Sequence, residues 1–224
     1  MPHAPLSPSS ATHRWTFTPL ERPVACASVR LGVFGGTFDP PHVGHLVTAV
    51  NVRHALALER VLLVVANVPW QKVGDRTVSP AEDRVAMVEA AARGVAGLEV
   101  SRLEIERGGP SYTADTLGEL RRTHPGAELF LVVGSDAASG LTTWERVDEV
   151  REQCTVVVVD RPGAEGEQPP PGWRWERVEV PRLDVSSTDL RARVADGRPL
   201  DFLLPPDVIA CIRTRGLYAT VMQS

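Results

Sequence analysis

From residue 29 onward, apolar positions fall into two arrangements that alternate along the chain. Val29 to Phe34, Arg60 to Ala66 (RVLLVVA), Glu128 to Val133 (ELFLVV) and Cys154 to Val159 (CTVVVV) are nearly continuous apolar runs of strand length. Leu98 to Ile105 alternates and reads as a further strand, and Trp173 to Val180 as a short one. Between these runs lie segments of helical period: Leu46 to Leu58, Ser79 to about Arg93, Tyr112 to Arg122, Thr143 to Val150, and Ser186 to about Ala195. A last helix opens at Pro205-Pro206-Asp207. Ser79-Pro80-Ala81-Glu82 carries a helix-start pattern: a capping serine, proline in the first turn, and Glu three residues after the cap. Strands apolar on both faces, separated by helices, predict a mostly parallel sheet covered on both sides, a doubly wound α/β domain. Ligands of such domains sit beyond the carboxyl ends of the strands, near the point where strand order reverses.

Residues 1–28 break this pattern. They are rich in Pro, Ser and Ala, lack periodicity, and read as a flexible N-terminal extension to a domain spanning 29–224; Trp15 and Phe17 are its exceptions. Gly163 to Gly172 reads as a Pro/Gly/Glu-rich loop. The length suits one domain with a real core. A formal charge of −4 argues against a general polyanion binder, so no nucleic-acid partner is expected, though a local basic pocket is compatible with it. No apolar stretch approaches bilayer-spanning length, and the start lacks the basic-then-apolar pattern of a secretion signal. A cytoplasmic protein without a membrane partner is the expectation, with a homo-oligomer left open. The three cysteines, Cys26, Cys154 and Cys211, are widely spaced and odd in number, which argues against a disulfide framework and a zinc cluster. Among 24 basic residues only Lys72 is a lysine. Either it persists by chance on a polar loop, or a compact point charge is needed there that a planar guanidinium replaces poorly.

The candidate chemistry concentrates in Gly35-Gly36-Thr37-Phe38-Asp39-Pro40-Pro41-His42-Val43-Gly44-His45, between the first strand and the first helix. A helix entrance presents unpaired N–H groups and a partial positive charge, and glycine lets backbone approach an anion. The loop is neither a G-x-G-x-x-G fingerprint nor a Walker loop closed by G-K-[ST]. It sets His42 and His45 three residues apart, on one face of the first turn, where imidazole N–H groups can donate to phosphate oxygens. A metal pair is the rival, but no H-E-x-x-H arrangement or third ligand accompanies them. Late in the chain, Ser186-Ser187-Thr188-Asp189-Leu190-Arg191 places hydroxyls at another helix entrance with a forked donor one turn on. Plain capping and phosphate binding both fit it.

The first loop resembles the GGTFDPxHxGH signature of nucleotidylyltransferases. With the late SSTxLR-type segment it is similar to the nicotinate mononucleotide adenylyltransferase family of bacterial NAD synthesis. The likeness runs from about residue 30 to about 218 and includes Pro69-Trp70-Gln71-Lys72, Ser111 to Leu117, Gly134-Ser135-Asp136, Trp144 and Arg161-Pro162-Gly163. Trp70 resembles the actinobacterial version of the family, and the extension before residue 29 departs from its pattern. The resemblance implies a Rossmann-like nucleotidylyltransferase fold with a small C-terminal helical part. It implies transfer of the AMP part of ATP to nicotinate mononucleotide, giving deamido-NAD and pyrophosphate, with magnesium accompanying ATP and no protein-held metal. By resemblance, His42, His45 and Arg191 are catalytic. Gly35, Gly36, Thr37 and Phe38 line the ATP pocket through their backbone, Gly134 and Asp136 contact adenosine, and Ser187 and Thr188 join Arg191 on the β- and γ-phosphates. Lys72, Tyr112, Thr113 and Trp144 fall on the mononucleotide side, the indole against the pyridine ring.

Each assignment has a plainer counterpart: Trp144 as a core or rim aromatic, Tyr112 and Thr113 as the start of their helix, Arg161 as a surface ion-pair partner. Other acceptors, nicotinamide mononucleotide or pantetheine phosphate, or CTP as donor, belong to the same signature. Trp144 and the YTxDTL segment suit a pyridine nucleotide better than a pantetheine arm. A non-catalytic nucleotide-binding module would be expected to lack a histidine or the late arginine, and all are present.

Overall fold

A computed structural model describes residues 28–69, 78–160 and 167–219. Six strands, β1 (Arg30–Gly36), β2 (Arg60–Val65), β3 (Leu98–Ser101), β4 (Glu128–Gly134), β5 (Thr155–Asp160) and β6 (Trp175–Glu179), form one sheet in the order β3-β2-β1-β4-β5-β6. Every pairing is parallel, with Val33 opposite Leu62 on one side and Leu131 on the other.

Period-two geometry divides the apolar runs between two cores. Leu31, Val33, Leu62, Val64, Leu129, Leu131, Val133, Val156 and Val158 meet helices α4 (Thr113–Thr123) and α6 (Val147–Gln153) on one face. Val61, Leu63, Val65, Phe130, Val132 and Val157 meet α1 (Val43–Ala55) and α2 (Ala81–Ala92) on the other. This is the doubly wound arrangement the apolar runs predict. A third cluster joins Met87, Ala90 and Ala91 of α2 to Leu190 of α7 (Ser187–Ala195) and to Val208, Ile209 and Ile212 of α8 (Pro206–Arg215). Two ion pairs, Arg93–Asp207 at 2.9 Å and Arg215–Asp83 at 2.5 Å, line the same seam. The small C-terminal helical part is thereby fastened to the main domain.

Local structure departs from the sequence expectation in four places. The third strand stops at Ser101; Leu103–Arg107 coils into the short helix α3, which sends Leu103 to one core and Ile105 to the other. The helix expected over Thr143 to Val150 is split: a 3₁₀ turn spans Gly140–Thr143, and α6 begins only after Arg146, whose φ of 52° interrupts helical geometry. A further short helix, α5 (Ser135–Ser139), follows β4 directly. Ser79 does not cap α2. Pro80 takes the N-cap position, while the Ser79 carbonyl accepts from Arg84 Nε at 2.9 Å. The extension expected at 1–28, Ser28 apart, lies outside the described residues, as does part of the loop expected at 163–172.

Candidate functional site

Strand order reverses between β1 and β4, and two clefts open at their carboxyl ends, where doubly wound sheets hold ligands. One, of about 300 Å³, is lined by Gly35, Gly36 and Thr37 leaving β1, Gly134 ending β4, Thr113 opening α4, and Trp144. The other, of about 500 Å³, lies across Gly134 and is lined by Gly44 and Thr48 of α1, Asp136 of α5, Asp160 ending β5, and Arg182. The two clefts meet at Gly134, and the first turns of α1 line the larger one.

The loop between β1 and α1 is folded tightly on itself. Phe38 has a φ of 50°, and its ring turns back beneath the loop, edge-on to Phe34 at 5.9 Å and to His45 at 5.1 Å. A Cβ on Gly36 would lie 2.8 Å from that ring, so only glycine fits. The Phe38 side chain therefore belongs to the core, and any part it has in the site passes through its backbone. His42 and His45 stack with ring centroids 3.7 Å apart. The His42 N–H donates to His45 Nδ1 at 3.1 Å, which makes Nε2 the protonated nitrogen of neutral His45. His42 is buried, and burial lowers its imidazole to a pKa of about 4, so it is neutral at physiological pH, and its Nδ1 has no hydrogen-bond partner among the described residues. Two stacked imidazolium rings would repel each other; desolvation of one avoids that. A Cβ on Gly44 would come 3.0 Å from His42 Nδ1 and 3.1 Å from Val185, closing the approach to both.

The late segment docks on this loop. Ser187 Oγ donates to the Pro40 carbonyl at 2.8 Å. Arg191 Nη1 donates to the Asp39 carbonyl at 2.7 Å, and Nη2 to Thr188 Oγ1 at 3.2 Å. Ser186, as expected of its position, caps α7 by accepting from the Asp189 N–H. The two helix entrances singled out in the sequence, α1 and α7, are thus neighbours. The Ser187 hydroxyl and Nη1 of Arg191 hold the loop's backbone.

Two residues behind the loop had no place in the sequence reading. Arg84 is 1% exposed and, among the described residues, donates to four backbone carbonyls: Ser79 (2.9 Å), Thr37 (3.1 Å), Ala66 (2.5 Å) and Asn67 (2.9 Å). Burial lowers its pKa, partly offset by the nearby Asp39 carboxylate. It ties the exit of β1 to the exit of β2. The available signal was a charge inside an apolar stripe, since Arg84, Met87, Val88 and Ala91 share one helical face. Tyr218, beyond α8, donates its hydroxyl to Asp39 Oδ1 at 2.6 Å; no local pattern marks it.

Of the other expected residues, Thr37, Thr113, Gly134 and Trp144 line the smaller cleft, and Gly134 and Asp136 the larger. Tyr112 is the N-cap residue of α4, its carbonyl accepting from the Thr116 N–H, and it is not among the residues lining either cleft. Lys72 and Arg161 lie outside the described residues. The Cys154 thiol is buried and pushed up to about 12, so it is inert. Among the described residues no group of three or more His, Cys, Asp or Glu side chains gathers that could hold a metal, and no helix is long and apolar enough to cross a membrane.

Residues 33–193 match the cytidylyltransferase-like family. The chain is 46% identical over 191 residues to a protein of Saccharopolyspora erythraea named a probable nicotinate-nucleotide adenylyltransferase, covering 84% of this chain and 89% of that one. It is 45% identical over 192 residues to a protein of the same name from Corynebacterium kroppenstedtii, covering 84% and 90%. Among solved structures, the fold is similar to Plasmodium falciparum nicotinic acid mononucleotide adenylyltransferase complexed with NaAD, with a TM-score of 0.68, 16% identity, and 84% and 97% of the two chains covered.

Proposed function

Because this chain belongs to the nicotinate-nucleotide adenylyltransferases of the cytidylyltransferase-like family, we infer that it transfers the AMP part of ATP to nicotinate mononucleotide, forming deamido-NAD and pyrophosphate in NAD biosynthesis. The observation that carries this reading is the docking of Ser187 and Arg191 on Pro40 and Asp39, which joins two helix entrances from distant parts of the chain, one of them α1, whose Gly44 and Thr48 line the larger cleft. The smaller cleft, with Trp144 and Thr113, suits the pyridine nucleotide. The larger, with Gly134 and Asp136, suits the adenosine of ATP, and α1 lies where the phosphates would pass.

In the reaction a phosphate oxygen of the mononucleotide attacks the α-phosphorus of ATP in line. The bond to the bridging oxygen breaks, and pyrophosphate leaves with the electron pair. A phosphate monoester near neutral pH is largely a dianion, so the attack requires neither a covalent nucleophile nor a strong base. The protein's part is positioning and offsetting negative charge. His45 Nε2–H is the donor best prepared for this, because the His42 N–H fixes its tautomer and ring orientation. Burial keeps His42 neutral; phosphate anions beside it would favour its charged form. Ser187 and Arg191 hold the loop, Thr188 steadies the Arg191 fork, and the three flank the outer phosphates. Lys72 is assigned to the mononucleotide side on the family's pattern alone.

Magnesium fits as the companion of ATP. The donors at the loop, imidazoles, hydroxyls and a guanidinium, suit anions rather than a hard cation, which would ride on phosphate oxygens and water. The test is pyrophosphate release by purified protein with ATP, magnesium and a panel of nicotinate mononucleotide, nicotinamide mononucleotide and pantetheine phosphate. Nicotinate mononucleotide should give the highest kcat/KM. His45→Ala should lose on the order of a hundredfold in kcat, about 3 kcal/mol. A preference for another acceptor, or near-normal kcat in that variant, overturns the reading.

A further inference from the structure

The smaller cleft contains a carboxylate that none of the assignments above uses. Glu104, on the short helix α3, is 7% exposed and lines the cleft with Ser111, Thr113 and Trp144. One oxygen, Oε1, accepts from Thr116 Oγ1 at 2.5 Å, and Arg107 Nη2 holds that hydroxyl from the far side at 3.2 Å. Arg107 is in turn paired with Glu119 at 3.5 Å. The carboxylate is therefore anchored through one oxygen to α4. Its other oxygen, Oε2, has no hydrogen-bond or ion-pair partner among the described residues and is open to solvent. A carboxylate held through one oxygen at the wall of a cleft keeps the other oriented in advance for a ligand that brings a donor.

The ligand's chemistry decides which group this is. A nicotinate mononucleotide is anionic at both ends, at the phosphate and at the pyridine carboxylate, and a second carboxylate would repel either. The pyridinium nitrogen between them has no proton to give, and its charge is spread over the ring. The ribose hydroxyls are the ligand's neutral O–H donors, and they lie in the middle. We propose that Glu104 Oε2 accepts a hydrogen bond from the mononucleotide's ribose, so that Glu104 selects a hydroxylated sugar in the acceptor. The proposal rests on the smaller cleft being the mononucleotide site.

The experiment is a substrate–variant cycle. KM and kcat are measured for the wild-type chain and Glu104→Gln with nicotinate mononucleotide and its 2′-deoxy and 3′-deoxy analogues, at saturating ATP and magnesium. Glu104→Gln should raise KM for the mononucleotide about 10- to 100-fold while leaving KM for ATP unchanged. One deoxy analogue should suffer a similar loss with wild type and little further loss with the variant, because both changes act on the same bond: glutamine has one uncharged acceptor oxygen for the two donors, Thr116 and the ribose. An unchanged KM for the mononucleotide overturns the proposal. So does a full deoxy penalty persisting in Glu104→Gln, which would mean the carboxylate acts on the ring charge instead. A rise in both KM values together would mark Glu104 as a structural anchor and also overturn it. If Glu104→Gln does not fold, as read from its thermal melt, Glu104→Asp takes its place, keeping the charge while withdrawing it by one methylene. Wild-type protein that releases no pyrophosphate with the mononucleotide would remove the assignment of the cleft itself, and this proposal with it.

Discussion

Replacing Arg84 with methionine tests whether a single buried guanidinium holds the two strand exits beneath the loop between β1 and α1. The side chain is 1% exposed, and its four hydrogen bonds all end on backbone carbonyls, at Thr37, Ala66, Asn67 and Ser79. Methionine fills a similar volume and supplies no donor. A hydrogen bond from a charged donor contributes about 1.5 kcal/mol net, so four would sum to about 6 kcal/mol if nothing relaxed. Water reaching the partly exposed acceptors at Ala66 and Asn67 recovers some of this, whereas the buried Asp39 carboxylate loses its nearby cation. A loss of about 4 kcal/mol is the balance, within the range for breaking a buried charged network. For a domain of this size that corresponds to a fall of about 8–16 °C in Tm, read by calorimetry or circular dichroism. Arg84→Lys keeps the charge but not the fork, so it should recover less than half of the loss. A fall under about 3 °C for methionine would refute the reasoning. Full recovery with lysine would assign the effect to charge and not to geometry.

His42 should make the empty protein sensitive to acid. Burial holds its folded pKa at about 4, against about 6.5 in the unfolded chain, so the unfolded state binds more protons between those values. Its contribution to stability is complete above about pH 6.5, falls as pH drops towards 4 by up to about 3 kcal/mol, and is constant below; His42→Asn should flatten this part of the Tm–pH curve. A triphosphate beside His42 should raise its pKa, so ATP binding near pH 5.5 should take up protons, seen by calorimetry in buffers of different ionisation enthalpy; no uptake would contradict its place at the phosphates. Tyr218→Phe removes the 2.6 Å bond to buried Asp39 and should cost about 1.5–3 kcal/mol in denaturant unfolding, with a larger effect on KM for ATP than on KM for the mononucleotide. The Tyr218 phenol, raised by burial and by Asp39, stays protonated throughout, so this contribution should not vary with pH between 6 and 9.

Much of the architecture was legible because parallel sheets bury both faces of their strands. RVLLVVA, ELFLVV and CTVVVV cannot sit half in water, and helical segments of the right length separate them. The expected strand ends fell within a few residues of those observed, except where the third strand gave way to α3. There the spacing from Val100 to Leu103 already abandons period two, but a five-residue helix leaves too short a trace to distinguish from a strand end. Ser79-Pro80 looked like a cap by local rules. Its carbonyl instead accepts from Arg84, five residues on, one of four backbone carbonyls that satisfy that buried guanidinium.

The sequence by itself determined the layered sheet, the placing of glycines and imidazoles at the end of β1, and the hydroxyl–guanidinium segment that opens α7. These are local facts: period, chain punctuation, and which side chains can meet a phosphate. The tertiary structure decided what those groups do to one another. It put Ser187 on Pro40 and Arg191 on Asp39, folded the Phe38 ring into the core, neutralised His42 by burial, and brought Arg84, Glu104 and Tyr218 to the site from elsewhere. A charged or aromatic side chain announces its type in the sequence, but its pKa, its unfilled hydrogen bonds and its neighbours depend on contacts made far along the chain. Those are settled only when the sheet closes its two faces and the C-terminal helices dock.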